Sequence, residues 1–305
     1  MSMRSPSGFI RPGFDPLKNP DAPTIGTATG GNALASVTFT APSDVGGSAI
    51  TAYSVVSTPG GFVGTGASSP VTVTGLTNGT AYTFKVFATN SYGPSAASAA
   101  SNSATPVAPP SVIGEAYGGG YYAGQIGVGG VATHYIIVGP VASAQSTLQW
   151  KNAMTATTGA DSDIDGPQNT ADMVADGSAT VYPAAHFCND LSTAGQTDWH
   201  MPAKNELDVC YFNLKPTTGN NNTSSGINPN AVPARASNYT SGNPAQTSAA
   251  VFQSGGSEAF FTASYWSSTE FSAGYGLAQG TANGFQNGYG KVGSYRVRAI
   301  RRIAV

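Results

Sequence analysis

Charged residues are scarce in this chain of 305 residues. They make up 9% of the sequence, against about 25% in a typical soluble protein, and the formal net charge is -2. No cluster of Lys and Arg is large enough to displace phosphate counterions, so we expect no nucleic-acid partner. Uncharged polar residues and glycine take the place of charge.

Cysteine is nearly absent, since Cys188 and Cys210 are the 2 cysteines of the chain. They can form one bridge but not a disulfide framework, and the sequence leaves open whether they are bonded. Both lie in apolar patterns of helical period, which favours buried free thiols over a bridge.

Long apolar runs are missing too. Residues 1–20 contain no stretch suited to a signal peptide or a membrane span, so the sequence does not indicate export by the general secretory route. Repeated proline excludes regular helix there and predicts an extended arm. Apolar side chains spaced along such an arm suit a peptide that docks on a partner, and the alternative is a flexible terminus. The candidate attachment residues are Phe9, Ile10, Phe14 and Leu17.

Residues 21–106 have the pattern of an all-β domain. Short segments alternate apolar and polar residues and are separated by turns rich in glycine, at 35–42, 50–55, 71–74 and 82–88. Leu76 is placed to fill the core and Tyr82 to form a tyrosine corner. On these residues the segment resembles a fibronectin type III domain, with Phe39 where that family usually has Trp. The resemblance implies an immunoglobulin-like β-sandwich that serves as a rigid spacer.

A proline-rich linker at residues 107–117 separates this domain from a second one at residues 118–305. The second domain opens with a predicted hairpin at 118–126 and 133–138. Helices are expected at 147–154, with Trp150 buried, and at 184–191.

The run DWHMPAKNEL at residues 198–207 predicts a short strand followed by a helix. Trp199 and Met201 alternate into the core, Pro202 lies near the helix start, and Glu206 caps the first turn.

Alternation at residues 295–301 predicts a terminal strand with arginines on one side. We expect that face to be solvated or salt-bridged, and the alternative is a glycan or phosphate site.

Three separated segments carry a second resemblance. They are DWHMPAKNEL at 198–207, YWSSTE at 265–270 and VRAIR at 297–301. Together they resemble the C-type-lectin-like domains of bacterial and phage surface proteins, including the family typified by the C-terminal domain of the Legionella collagen-like adhesin. The resemblance implies an α+β domain and a role in surface binding. The expected fold is therefore mostly β, in two domains.

Four aspartates formally fit a calcium loop of the EF-hand type, with Gly166 at the turn: Asp161, Asp163, Asp165 and Asp172. Pro167 at a ligating position, Asp in place of the final Glu and the lack of a preceding helix weigh against calcium. The alternative is a helix start with Asn169 or Thr170 as N-cap. We expect no cofactor.

Catalytic patterns are missing. His134, His186 and His200 lie in different predicted elements, and no Ser-His-Asp order, zinc spacing or phosphate loop accompanies them. We expect no enzymatic activity.

Uncharged loops in the second half are the expected binding region. Residues 216–265 suggest a polar surface insertion, and a later stretch mixes aromatic and amide side chains among glycines. Aromatic faces stack on sugar rings and amides bond hydroxyls, although the aromatics can instead pack the sheet. The candidate ligand residues are Phe271, Tyr275, Gln279, Asn283, Phe285, Gln286, Asn287 and Tyr289.

An arm, a spacer and a lectin-like tip in series predict a display protein. The chain is similar to accessory and fibre proteins of tailed phages, which implies a location on the virion surface after assembly in the host cytoplasm. The expected partners are virion proteins and a host-surface glycan or protein, with homo-oligomerisation left open. The alternatives are a cement protein that bridges virion subunits and a bacterial surface adhesin.

Overall fold

The computed structural model describes residues 17–305, which divide into two compact units between Pro109 and Pro110. The division lies inside the predicted linker. Of the predicted attachment residues, Phe9, Ile10 and Phe14 lie outside the described residues, and Leu17 is 62% exposed.

The first unit is a sandwich of two antiparallel sheets, with strand orders β1-β2-β5 and β4-β3-β6-β7. The strands are β1 (Thr24–Gly31), β2 (Leu34–Thr40), β3 (Ala52–Thr58), β4 (Val63–Gly66), β5 (Val71–Thr74), β6 (Thr83–Asn90) and β7 (Gly93–Pro94). Because successive strand side chains point to opposite faces, the alternating sequence places one set between the sheets. Val37, Val55 and Val86 are fully buried there. The predicted immunoglobulin-like sandwich is confirmed.

The tyrosine corner forms as predicted. Leu76 and Tyr82 are each 3% exposed, and the Tyr82 hydroxyl accepts a hydrogen bond from the Thr77 N–H at 3.1 Å. Phe39, which stands where Trp is usual, packs on Tyr53 with ring centroids 4.6 Å apart. These contacts close the core of the first unit.

Three serines spaced by three cover the outer edge of β6 without forming a regular strand. The Ser98 N–H donates to the Val86 carbonyl at 2.9 Å, and the Ser98 hydroxyl accepts the Val86 N–H at 2.9 Å. The same pair of bonds joins Ser95 to Ala88 and Ser101 to Phe84. Side chains thus satisfy donors that an edge strand otherwise exposes.

Replacing Ser98 tests this arrangement. Ser98→Ala should lower the free energy of unfolding of the first unit by about 1–3 kcal/mol, because it leaves the buried Val86 N–H without an acceptor. Ser103→Ala, at an exposed position, is the matched control and should change it by less than about 0.5 kcal/mol. Urea titration measures both, and equal stability of the two variants would contradict the role of the hydroxyl.

The second unit combines two sheets with four helices. Its strands are β8 (Ala116–Tyr117), β9 (Gly120–Val128), β10 (Val131–Val138), β11 (Gln145–Gln149), β12 (Ala231–Val232), β13 (Ser264–Ser272), β14 (Tyr275–Gly280), β15 (Gln286–Gly290), β16 (Ser294–Arg298) and β17 (Ile300–Ala304). Its helices are α1 (Val141–Ala144), α2 (Gly166–Asp176), α3 (Pro183–Asn189) and α4 (Lys204–Leu214), with a 3₁₀ turn at Ala250–Phe252. One sheet has the order β12-β9-β10-β17, with β8 beside β9, and the other has the order β11-β16-β13-β14-β15.

Several predicted elements of this unit are confirmed. Strands β9 and β10 form the opening hairpin, α3 covers most of 184–191, and α4 follows Pro202. Trp199 is 3% exposed and Met201 is fully buried. Cys188 and Cys210 are buried free thiols, and burial raises the pKa of both.

The helix predicted at residues 147–154 is wrong. This region begins with β11, which pairs with β16 so that Thr147 lies opposite Arg296. Trp150 is fully buried as predicted, and its Nε1 donates to the Ser267 carbonyl at 2.8 Å. A short segment with few apolar residues does not distinguish the helical period from the strand period, and pairing with β16 decides the outcome.

The predicted terminal strand is interrupted. Ala299 separates β16 from β17, and these strands belong to different sheets. Its arginines therefore do not share one face. Arg298 is 1% exposed and pairs with Glu258 at 2.8 Å, while Arg301 pairs with Asp198 at 2.8 Å. The expected ion pairing is confirmed, but it includes a buried pair.

Glu206 joins the parts of the run at residues 198–207, which we call the central motif. Its carboxylate accepts bonds from the Ala203 N–H at 2.7 Å and the Arg302 Nε at 2.5 Å, and it lies 3.2 Å from His200 Nε2. The predicted cap of the first turn of α4 is confirmed. Because Arg302 belongs to β17, the same carboxylate joins the helix to the last strand.

The insertion at 216–265 is not simply an exposed loop. Asn228 is fully buried and donates to the Asp208 carboxylate at 2.7 Å. Tyr239 and Arg235 also bind Asp208. Asp208 is itself fully buried on α4, so one carboxylate binds three residues of the insertion to the helix.

The pKa of Glu206 gives a test by pH. Burial alone would raise this pKa, but His200 and Arg302 overcome burial and lower it below the ordinary 4.5. A carboxyl whose folded-state pKa is depressed contributes stability above its unfolded-state pKa, and that contribution is lost as pH falls through the folded-state value. Glu206→Gln should therefore lower the free energy of unfolding of the second unit by about 3 kcal/mol at neutral pH. Below pH 4.5 the variant should lose less stability than the wild type as pH falls.

The matched control is Asp161→Asn, at an exposed aspartate, which should keep the wild-type acid profile. Thermal unfolding monitored by circular dichroism between neutral and acid pH measures both variants. A Glu206→Gln variant with the wild-type profile would show that this carboxylate does not hold the motif.

Candidate functional site

The predicted ligand residues lie on strands β13, β14 and β15 and on the turns that join them. Phe271 and Tyr275, on either side of the first turn, are 58% and 46% exposed. Asn287 is exposed on β15, the edge strand of its sheet. An exposed aromatic pair on a regular hairpin is the clearest recognition feature of this region.

Glycine gives the aromatic side chains a flat support. Tyr275 lies opposite Gly290 in the pairing of β14 with β15, and residues in opposite positions share a face. A Cβ at Gly288 would lie 2.8 Å from Phe271 Cγ, and a Cβ at Gly290 would lie 3.5 Å from Met154 Cε. The side chains of Phe271 and Met154 therefore lie against bare backbone of β15.

We call Met154, Phe271 and Tyr275 the hairpin patch. Met154 is 45% exposed, and sequence reasoning missed it because it fell in the predicted helix. Its position follows from the chain reversal after β11, which the local sequence does not reveal. Three exposed, flexible or aromatic side chains over a glycine strand provide apolar contact area without charge.

A buried lysine fixes the segments that carry the hairpin patch. Lys291 is fully buried, and its Nζ donates to the Thr155 carbonyl at 2.8 Å, the Ala273 carbonyl at 2.9 Å and the Glu270 carboxylate at 2.7 Å. Thr155 follows Met154, and Ala273 lies in the turn between Phe271 and Tyr275. One ammonium group therefore clamps both sides of the patch.

Electrostatics around Lys291 balance burial against pairing. Burial lowers the pKa of Lys291, and the hydrogen bond that its ammonium donates to Glu270 opposes that effect. The ammonium also lies 4.5 Å from the centroid of the Trp150 ring, where the aromatic face stabilises a cation. Glu270 in turn accepts from the Thr157 N–H at 3.0 Å. The buried ion pair of Lys291 and Glu270 thus holds the segments beneath the patch in place.

Gln279 is a correction to the predicted ligand set. It is fully buried, and its Nε2 donates to the Tyr239 hydroxyl at 3.1 Å and the Gly284 carbonyl at 3.3 Å. A group that solvent does not reach does not bind a surface ligand.

The remaining predicted residues are only partly exposed and support the loops. The Asn283 carboxamide accepts the Phe285 N–H at 3.1 Å, and the Gln286 N–H donates to the Ser225 hydroxyl at 3.0 Å. Tyr289 packs against Tyr295 with centroids 5.0 Å apart. Of the predicted set, the structure brings Phe271 and Tyr275 together in one exposed surface.

Three of the four predicted calcium ligands, Asp163, Asp165 and Asp172, have other partners. Asp165 is the N-cap of α2, where its carboxylate accepts the Gln168 N–H, and Asp163 pairs with Lys204 at 3.1 Å. Asp172 lies within α2 and accepts from the Gln168 side chain. Among residues 17–305 no group of three or more His, Cys, Asp or Glu side chains is placed to hold a metal ion. The pattern of aspartates reflects a helix start.

The helix start itself differs from the predicted one. The cap is Asp165 rather than Asn169 or Thr170. Asn169 bonds the Ser162 carbonyl at 2.7 Å, and the Thr170 hydroxyl donates to the Gly166 carbonyl at 2.7 Å. Pro167 occupies the first turn of α2, where its missing N–H costs nothing.

Helices long and apolar enough to cross a membrane do not occur in the described part of the chain.

Two family models match the chain. The model of the Lcl C-terminal domain matches residues 139–301, and the model of the fibronectin type III domain matches residues 19–103. No curated protein matches. The adhesin-like and fibronectin domains suggest a surface-binding or adhesin-type role, and domains of these kinds are typically non-enzymatic.

Solved structures are similar over about a third of the chain. "Titin kinase and its flanking domains" is 29% identical over 29% of this chain and 17% of that chain, with a TM-score of 0.26. "Crystal structure of domains A168-A170 from titin" is 28% identical over 30% of this chain and 33% of that chain, with a TM-score of 0.26. An Fn3-like protein from Clostridium thermocellum is 23% identical over 31% of this chain and 100% of that chain, with a TM-score of 0.23. The chain therefore spans a third or less of the two titin structures.

The Lcl C-terminal model covers more than half of the 305 residues and includes the central motif, the hairpin patch and the interrupted terminal strand. The chain therefore belongs to the Lcl C-terminal domain family, with a fibronectin type III domain ahead of the family domain.

Proposed function

We propose that the protein is a non-enzymatic display protein of a bacteriophage particle and that its C-terminal domain binds the surface of the host cell. The observation that carries this proposal is the hairpin patch, an exposed and uncharged aromatic surface on a rigid hairpin. The two matching domain families, which suggest a surface-binding role, support the proposal.

The chemistry of the hairpin patch suits a glycan or a protein on the host surface. Phe271 and Tyr275 offer ring faces for sugar C–H groups or apolar side chains, and Asn287 is an exposed amide on the adjacent edge strand. The Lys291 clamp holds these groups before a ligand arrives, which reduces the entropy cost of binding.

Within this proposal the other segments have mechanical roles. Residues 1–20 attach the protein to a virion protein of the head or tail, and the fibronectin domain carries the tip away from the particle. The protein is then a head decoration, a head fibre or a tail fibre component, assembled in the host cytoplasm and displayed on the virion.

The hairpin patch gives the first test of the proposal. Phe271→Ala combined with Tyr275→Ala should weaken binding of the full chain to host cells by at least about 10-fold, since aromatic anchors contribute about 1–2 kcal/mol or more each. Labelled protein titrated onto host cells gives the affinity, and thermal unfolding shows whether the fold is kept.

Phe261→Ala is the matched control, because Phe261 is 51% exposed but lies outside the patch. It should bind as wild type. Periodate treatment of the cells then separates the two ligand classes, since it destroys glycans and leaves most protein receptors. Wild-type affinity in the double variant would refute the patch, and a wild-type protein that ignores host cells would favour a cement protein.

The arm gives a second test. Deleting residues 2–17 should leave a folded protein that no longer joins particles, because Lys18 and the residues after it keep their contacts with Asp44 and Gly46. Occupancy on purified particles, measured by quantitative mass spectrometry, should fall at least about 10-fold.

A substitution control for this experiment keeps the length of the arm. Changing Ser5 and Ser7 to Ala should leave occupancy unchanged, whereas changing Phe9 and Phe14 to Ser should reproduce the deletion. Full occupancy of the deleted protein would show that attachment depends on another surface.

A further inference from the structure

A cleft of about 540 Å³ lies between α3 and β11, on the sheet edge opposite β15. Strand β11 and strand β15 are the two edges of the same sheet, so this cleft and the hairpin patch are separate surfaces. The volume is within the range of about 300–1,000 Å³ that is typical of small-ligand sites.

The floor of the cleft is apolar and anchored. Leu148, Phe187 and Leu191 line it, and all three are partly buried against the core cluster that contains Trp150 and Trp266. Side chains packed on the core keep their positions when a ligand enters, so the floor is formed in advance.

Polar groups surround this floor. Ser146, Ser192 and Asp190 also line the cleft, and the side chain of Asp190 is 63% exposed. Asp190 is oriented by the Asn189 amide, which donates to it at 2.8 Å, and His186 Nδ1 lies 3.4 Å from its carboxylate. His186 is fixed in turn because its Nε2 donates to the Gly177 carbonyl at 2.8 Å.

We propose that this cleft is a second ligand site, which binds one pyranose ring of a neutral carbohydrate. The C–H face of a pyranose fits the floor of Leu148, Phe187 and Leu191. Its hydroxyls match the carboxylate of Asp190, which only accepts hydrogen bonds, and the serine hydroxyls, which donate and accept. The site needs neither a metal nor the hairpin patch.

Binding of simple sugars to the full chain tests the proposal. The probes are the methyl pyranosides of glucose, galactose, mannose and N-acetylglucosamine, observed by saturation-transfer difference NMR. At least one should bind with a dissociation constant of about 1 mM, as expected for a small ligand in an open cleft. Asp190→Asn should weaken it by about 10-fold, because a charge-assisted acceptor is replaced by a neutral amide.

A variant that blocks the cleft still tests the proposal if Asp190→Asn affects folding. Ser192 is exposed on a loop, so Ser192→Trp should fill the cleft and abolish binding without disturbing the core. Asp163→Asn is the control and should bind the sugar as wild type. Phe271→Ala is measured beside it to separate this site from the hairpin patch.

Three results would overturn the proposal. They are no signal from any of the four sugars, binding that survives both Asp190→Asn and Ser192→Trp, and binding of n-butylammonium in place of sugar, which would mean that Asp190 selects a cation. A fourth contrary result is loss of sugar binding in Phe271→Ala alone, which would assign the sugar to the hairpin patch.

Discussion

The buried carboxylate of Glu206 is the constraint on which the second unit depends. It satisfies the first turn of α4 through the Ala203 N–H, and it also meets His200 and Arg302. These partners come from the helix, from the segment before it and from the last strand. A fully buried carboxylate is costly unless every partner is present, so this group forms its full set of bonds only when the three elements are assembled together.

Other charged residues of the second unit also join separate elements. Lys291 clamps the hairpin, Arg298 joins β16 to Glu258, and Asp208 holds the polar insertion to α4. A chain with 9% charged residues uses several of them inside the fold, and its surface carries few charges. Recognition at such a surface depends on shape, aromatic faces and hydroxyl or amide hydrogen bonds rather than on long-range attraction.

The sequence predicts the parts of the fold whose signals are local. The alternation around Val37 and Val55, the helix after Pro202 and the cap by Glu206 all depend on neighbours within a few residues. Strand β11 was missed because its pairing with β16 joins residues far apart in the chain. Gln279 was assigned to the ligand set for a similar reason: composition identifies an amide among glycines, but only the fold shows that Tyr239 covers it. Phe271 and Tyr275 belong to the same predicted set, and the fold exposes them on either side of a hairpin turn.

Both proposed binding surfaces lie at the edge strands of the β11-β16-β13-β14-β15 sheet, and its core residues lie in the centre. Its centre holds Trp266 and Val297, both fully buried. Side chains from other segments lie at each edge strand: Met154 and the β13 residue Phe271 lie over β15, and α3 lies beside β11. Groups packed at an edge strand hinder its pairing with other chains, and here they also form partly apolar surfaces. The need to protect an edge and the capacity to bind a ligand therefore arise from the same residues, and for this reason we place recognition at the edges rather than on the faces.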